Sequence, residues 1–472
     1  MQFDRRTVLK GSLSGLALAT IGGTGFARAE DGFVELVAKS GRQNLTGEAG
    51  TDTGIWGYNG SVPGPAIRAR EGERVKVRLV NQLDQPTSIH WHGIRIDNAM
   101  DGVVGLTQDA VQPGGVFEYD FVVPDAGTYW YHTHNRAWEQ LARGLYGALI
   151  VDEADGPVFD HDIPFILDDW RLNAAGEIDE ATFANMHDWG HAGRLGNWLT
   201  VNAQSDPEFK VIAGATVRLR VMNTANARVL ALGFGSLAPT IIALDGHAID
   251  SQPLGTTLRI APGQRVDLCF RVPDTINGPF PIFETSGNEP LMFASIAPVA
   301  SEKSRETSSS ELPVLAPTRN LEPDLANAER FKLVMEGGAM GGLSGAIMDG
   351  RRQTMRELVQ AGRAWAFNGV AGDLTEPLLS VPRGKTVIID MVNDTRWPHA
   401  MHLHGHHFRA IEQNGRPLKP GLVGKWRDTE LVEPGDQLAI AFVADNPGKW
   451  YFHCHMMEHQ AAGMRTWIQI GA

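Results

Sequence analysis

The chain has 472 residues, with 42 Lys and Arg against 55 Asp and Glu, for a formal net charge of −13. Its length suggests about three domains. The acidic balance argues against nucleic acid or anionic lipid as a partner.

The chain opens with Asp4-Arg5-Arg6-Thr7-Val8-Leu9-Lys10, an apolar run rich in Gly, Ala and Leu, and then Ala27-Arg28-Ala29. This is the form of a twin-arginine export signal with a small-residue cleavage site after Ala29, and it predicts a periplasmic protein. The alternative is a membrane anchor, but the apolar stretch is short and broken by Gly11, Gly15, Gly22 and Gly23. No other stretch is apolar enough to span a membrane. Loss of residues 1–29 removes four basic residues and one acidic residue, which takes the charge to −16.

Past the signal, one pattern occurs three times. Glu71–Asn81, Ala213–Asn223 and Arg383–Asn393 each read as a Gly turn, an alternating strand and a closing Asn, with the same spacing. A second landmark recurs as Gln112-Pro-Gly114, Ala261-Pro-Gly263 and Glu433-Pro-Gly435, each before another alternating strand. Three related β domains are therefore expected at 30–155, 156–300 and 328–472, with the Ser/Glu/Pro-rich stretch 301–327 as a linker. Short strands punctuated by Gly and Pro indicate an all-β protein of β-sandwiches.

The registers place the histidines. Asn81 to His90 and Asn393 to His402 are both nine residues, and Gly114 to His132 and Gly435 to His453 are both eighteen. His90/His92 thus matches His402/His404, and His132/His134 matches His453/His455. Each pair sits at i, i+2, on one face of a strand. The same offsets in the middle domain land on Leu232 and Pro281, which are not ligands. Eight histidines from two pseudo-equivalent domains point to one metal cluster where the first and third domains meet.

Only the third domain adds His399, Cys454, His459 and Met464; the matching first-domain positions are Thr87, Thr133, Trp138 and Arg143. One thiolate, two imidazoles and a thioether suit a blue-copper electron-transfer site. In a strand, Cys454 faces one way while His453 and His455 face the other, so one segment can touch two metal centres. A Cys269–Cys454 disulfide is allowed in an oxidising compartment, but Cys454 has a better use, and Cys269 reads as a buried strand residue. Zinc prefers closed four-coordinate sites and does not account for eight His plus a Cys/His/Met set. His161, His187, His191 and His247 fit no register and read as surface or core residues; His406 and His407 read as supporting or packing residues.

His90-Trp-His-Gly93, Tyr131-His-Thr-His134, His399-Ala-Met-His-Leu-His-Gly405 and the segment from His453 to Met464 together resemble the multicopper oxidases, in order and in spacing. The resemblance covers nearly the whole chain after the signal and implies three cupredoxin-like Greek-key domains. It implies four copper ions: type 1 on His399, Cys454, His459 and Met464; type 2 on His90 and His402; and a type 3 pair on His92, His132, His134, His404, His453 and His455. It further implies one-electron oxidation of a reducing substrate at a type 1 centre near the surface. Electrons would pass through Cys454 to the cluster, where O₂ is reduced to water. Asp101 matches the family's proton-handling Asp. Many bacterial relatives carry Glu where this chain has Gln460, and Glu458 is out of that register. The expected activity is a laccase-like oxidation of phenols or aromatic amines by a monomer. The alternatives are a cuprous oxidase of copper homeostasis, with Mn(II) or Fe(II) as further possible donors, and a copper-free cell-envelope binding protein of the same fold. For the cuprous reading, Met335, Met340, Met348 and Met355 lie in a Gly-rich stretch that turns helix-like near 351–361. Against it, Thr395 and Trp397 stand where such relatives place an acid and a Met. Trp397 instead offers an aromatic surface to an organic donor.

Overall fold

The computed structural model describes residues 32–275, 278–300, 311–418 and 424–471. The export signal expected over 1–29 and the stretch 301–310 lie outside the described residues. The protein is built from strands in three sandwiches. In the N-terminal sandwich, a sheet containing Val34–Gln43, Thr53–Tyr58, Arg74–Asn81 and Val116–Val122 faces one containing Gly64–Arg70, Tyr146–Asp152, Gly127–His132 and His90–His92. The middle sandwich sets a six-stranded sheet against a five-stranded one. The C-terminal sandwich packs the sheet around Thr386–Asn393 against the five-stranded sheet that holds His399–Leu403 and Gly448–Cys454. Each sandwich encloses its own apolar core, centred on residues such as Leu79 and Tyr131, Leu219 and Phe270, and Ile389 and Phe452. Alternating strands such as Arg74–Asn81 send every second side chain into that core.

The repeated Asn has a physical reason that recurs in all three sandwiches. The side-chain amide of Asn81 donates to the carbonyls of Gln85 and Val111, and its Oδ1 accepts from the Leu83 N–H. Asn223 bonds Arg228, Ile260 and Ala225 in the same way, and Asn393 bonds Trp397, Val432 and Thr395. The backbone carbonyl of each Asn accepts from the Gly of the Pro-Gly landmark, at 2.7 Å for Gly114, 2.9 Å for Gly263 and 3.0 Å for Gly435. A buried amide with its donors and acceptor satisfied fixes where the strand ends and the next loop begins. In the N- and C-terminal sandwiches, that loop leads to the histidine strands.

Two details depart from expectation. The stretch read as helix-like over 351–361 begins as strand Arg351–Thr354; the helix is only Met355–Gln360, started by a capping box between Thr354 and Glu357. The offset that reaches Pro281 misses the partner of Leu232, which pairs with Glu284. Loop lengths in the middle sandwich differ. Among the described residues no helix is long and apolar enough to cross a membrane. Both Cys269 and Cys454 are buried and free.

Candidate metal centres

The histidine strands pair as the offsets require. His90 lies opposite His132 across the antiparallel ladder of the N-terminal sandwich, and His402 lies opposite His453 in the C-terminal one. The two sandwiches bring these ladders face to face, and the contacts between them are reciprocal. His90 stacks on His404 and His92 on His402, each with ring centroids 3.8 Å apart. His132 meets His455 at 5.4 Å, and His134 meets His453 at 5.5 Å. All eight rings are buried.

Which nitrogen each ring presents is set from behind. Nδ1–H of His90 donates to the Asp101 carbonyl at 2.8 Å, that of His132 to Thr133 at 2.8 Å, that of His402 to Asp428 at 2.9 Å and that of His453 to Cys454 at 2.9 Å. His404 Nδ1 is 3.0 Å from the Asp101 carboxylate, while His92 uses Nε2, 3.2 Å from Asp428 Oδ1. The opposite nitrogens face one another. Nε2 of His90, His132, His134 and His402, Nδ1 of His92, and both nitrogens of His455 are buried without a hydrogen-bond partner. Nε2 of His404 and His453 approach to 3.1 Å. Burial, reinforced by neighbouring imidazoles, holds His132, His134, His404, His453 and His455 well below the usual histidine range. Neutral rings with inward lone pairs and no partner are a metal-ligand arrangement; left empty, so many orphaned acceptors would be costly. The donor set fits copper: it is imidazole throughout and is backed by carboxylates and carbonyls.

The second set lies in the C-terminal sandwich. Cys454 Sγ is 3.7 Å from Nδ1 of both His399 and His459, and those two nitrogens are 3.1 Å apart. Thr395 Oγ1 lies 2.9 Å from the far nitrogen of His399, and the His191 carbonyl accepts from His459 Nε2 at 2.7 Å. Met464 is fully buried, and its carbonyl accepts from the Cys454 N–H at 3.1 Å. Burial pushes the Cys454 thiol up to about 12, so a thiolate here needs a cation beside it. Burial also lowers His459 to about 4.

His399, Cys454, His459 and Met464 are all fully buried. Three successive carbonyls of the middle sandwich close over them. Trp365 Nε1 donates to Trp189 at 2.6 Å, the Ala339 N–H to Gly190 at 2.6 Å and His459 to His191. His191, read from the sequence as an ordinary residue, is part of this cap; its ring meets Trp397 edge-on at 5.5 Å and stacks on His187 at 4.0 Å.

Asp101 sits between His90 and His404, in a turn closed by Gly102 at φ +84°. A side chain at Gly102 would collide with the Ile89 carbonyl, so the turn demands glycine. Glu458 is buried, and burial raises its carboxyl; it accepts from Asn226 at 2.8 Å. The four methionines do not gather: Met335 is in the core, Met348 and Met355 pack around Leu358, and Met340 is 75 % exposed. His407 donates from Nε2 to the Gly93 carbonyl at 2.7 Å, and His406 packs on Phe442 and Trp450. Sequence reasoning missed Asp428 and its partner Arg265. Asp428 stands in the loop before strand Thr429–Val432, and that loop has no length match in the N-terminal sandwich. The Asn clamp reaches 30 residues ahead there and 39 in the C-terminal sandwich.

Family models for multicopper oxidases match residues 39–156, 161–297 and 349–471. Among curated proteins, the chain is 29% identical to a multicopper oxidase of Mycobacterium tuberculosis, over 87% of this chain and 82% of that one. It is 26% identical to a copper resistance protein A homolog of Pseudomonas syringae pv. tomato, over 90% of each. Among solved structures, a multi-copper oxidase from Pseudomonas thermotolerans superposes with a TM-score of 0.80 at 33% identity, covering 93% of this chain and 98% of that one. Lac15, from a marine microbial metagenome, gives 0.74 at 38% identity, covering 92% and 99%. Histidine ladders facing across two sandwiches, a buried Cys/His/His set and matches along nearly the whole described chain lead to one conclusion: the chain belongs to the multicopper oxidases, copper enzymes that oxidise a reducing substrate at the expense of O₂.

Proposed function

We propose that this chain is an exported, laccase-like oxidase of the periplasm that works as a monomer with four copper ions. His399, Cys454, His459 and Met464 would hold the type 1 ion, His90 and His402 the type 2 ion, and His92, His132, His134, His404, His453 and His455 the type 3 pair. Copper held by these residues would supply one-electron oxidation of a donor and the reduction of O₂ by four electrons and four protons to two waters. What carries this reading is the set of buried, unpartnered imidazole nitrogens converging between two sandwiches, with Cys454 in the same strand as His453 and next in sequence to His455.

The protein's own part is orientation, exclusion of water and proton supply. The cap from Trp189 to His191 keeps solvent off the Cys454 set. Asp101 orients His404 and, being a carboxylate beside two cluster histidines, is the group placed to hand on protons. Gln460 cannot do so, and Glu458 is turned toward Asn226. Export is supported by the twin-arginine pattern at residues 5–6. An aromatic donor is favoured by Trp397 beside the cap, with its indole N–H on the Ala339 carbonyl. The cuprous alternative draws support from the copper resistance relative but finds no cluster among Met335, Met340, Met348 and Met355. O₂ uptake by copper-loaded protein, with a phenol and separately with Cu(I), tests the assignment. Faster turnover of the phenol is expected, and uptake with Cu(I) alone would reverse the choice of donor.

A further inference from the structure

The middle sandwich contributes none of the paired imidazoles, yet one of its side chains reaches the cluster wall. Arg265 is fully buried, and all five of its guanidinium N–H groups are used. Nε donates to the Thr128 carbonyl of the N-terminal sandwich at 3.0 Å. Nη1 donates to Gly263 at 3.0 Å and to Asp428 Oδ1 at 2.8 Å; Nη2 donates to the Asp245 carbonyl at 3.0 Å and to Asp428 Oδ2 at 2.5 Å. One planar group therefore ties together all three sandwiches and forks onto a carboxylate of the C-terminal one.

That carboxylate is what His92 leans on. Asp428 Oδ1 lies 3.2 Å from His92 Nε2 and also accepts from Thr429 Oγ1 at 2.7 Å, while the Asp428 carbonyl takes Nδ1–H of His402 at 2.9 Å. His92 is the ring that presents Nδ1 inward, opposite to the Nε2 presented by His90, His132, His134 and His402. The surroundings are shaped for the fork. Gly93, at φ +88°, leaves the space that Arg265 and Asp428 occupy, and a Cβ on Gly263 would come within 3.1 Å of His92 and 3.0 Å of His455. Asp245 holds the other side of the clamp, accepting the Arg265 N–H at 2.8 Å and facing the Thr429 N–H at 3.3 Å.

We propose that Arg265 is a positioning residue for the copper cluster: by fixing Asp428 it selects Nδ1 of His92 as the ligand atom and sets the angle of His402. The proposal rests on the cluster reading above. Lysine cannot substitute, because a single ammonium cannot make five bonds in one plane. Removing the guanidinium alone would leave Asp428 as an unpaired buried charge.

Two variants test this in copper-loaded protein: Arg265→Lys, and Arg265→Met combined with Asp428→Asn, which removes both charges together. Both are expected to keep the blue type 1 absorption and the wild-type circular dichroism. Both should show altered type 2 electron paramagnetic resonance parameters and a weakened type 3 near-ultraviolet band. Both should also lose type 2 and type 3 copper to a chelator at ~10- to 100-fold lower concentration, the usual effect of losing an outer-shell partner. Unchanged type 2 parameters and chelator resistance in both variants would overturn the proposal. So would loss of the blue absorption in step with the other signals, since Arg265 would then serve the fold as a whole. A wild-type protein that lacks type 2 and type 3 signals altogether would instead refute the cluster reading itself.

Discussion

The middle sandwich and its two neighbours close their strands with the same buried Asn, the same Pro-Gly turn and the same hydrogen bonds, yet only the outer two carry paired His-x-His on the strands that follow. At the position matching His90 and His402 the middle sandwich has Leu232, fully buried in its core and facing Glu284. The scaffold and the chemistry are therefore separable. The Asn clamp sets where a strand emerges, and the residue placed there decides whether it faces a metal or an apolar core. The C-terminal sandwich goes one step further and uses both faces of one strand, His453 toward the cluster and Cys454 toward its own interior.

The largest break in this comparison comes from Cys454→Ser. Its effect should be confined to the C-terminal sandwich, with blue colour and all turnover lost and the fold retained; oxidase activity surviving in that variant would sink the two-faced strand. Next come the clamps. Asn81→Ala, Asn223→Ala and Asn393→Ala each strand buried carbonyls, at about 1–3 kcal/mol for each group left unpaired. Denaturant unfolding of the metal-free protein should show losses of similar size in all three, while Asn223→Ala leaves the copper spectra unchanged. A clamp that mattered only in the outer sandwiches would contradict a shared scaffold.

Acid bears on the buried imidazoles. Burial holds His92, His132, His134, His402, His404, His453 and His455 below the usual histidine range, and in the Cys454 set it lowers His399 and takes His459 to about 4. Between those values and the unfolded value near 6.5, the unfolded chain binds more protons, so stability falls as pH drops through that window. Metal-free protein is expected to lose melting temperature as pH falls from 6.5 to 4; a melting temperature that stays flat over that range would mean the buried rings gain no protons on unfolding. The smallest change is Met464→Leu. Loss of an axial thioether should raise the type 1 potential in a redox titration, and no change would exclude Met464 as a ligand.

The reading of paired histidines from sequence worked because nine residues separate Asn from His in both outer sandwiches and eighteen separate Gly from His. The all-β architecture followed from the alternating strands and their punctuation. What could not be read was contact between sandwiches. The Arg265–Asp428 fork joins residues 163 apart, and the His459–His191 cap joins residues 268 apart. Neither leaves a local spacing, and Asp428 sits in a loop whose length is not shared. The same blind spot made His191 look ordinary.

In the proposed reading, the two outer sandwiches enclose three copper ions and Cys454 links them to a fourth. Copper counting joined to electron paramagnetic resonance on the fully loaded, oxidised protein tests it most directly. Four coppers per chain are expected, with only the type 1 and type 2 ions visible because a type 3 pair would be spin-coupled. A loaded protein with one copper, or with every bound copper visible, would contradict it.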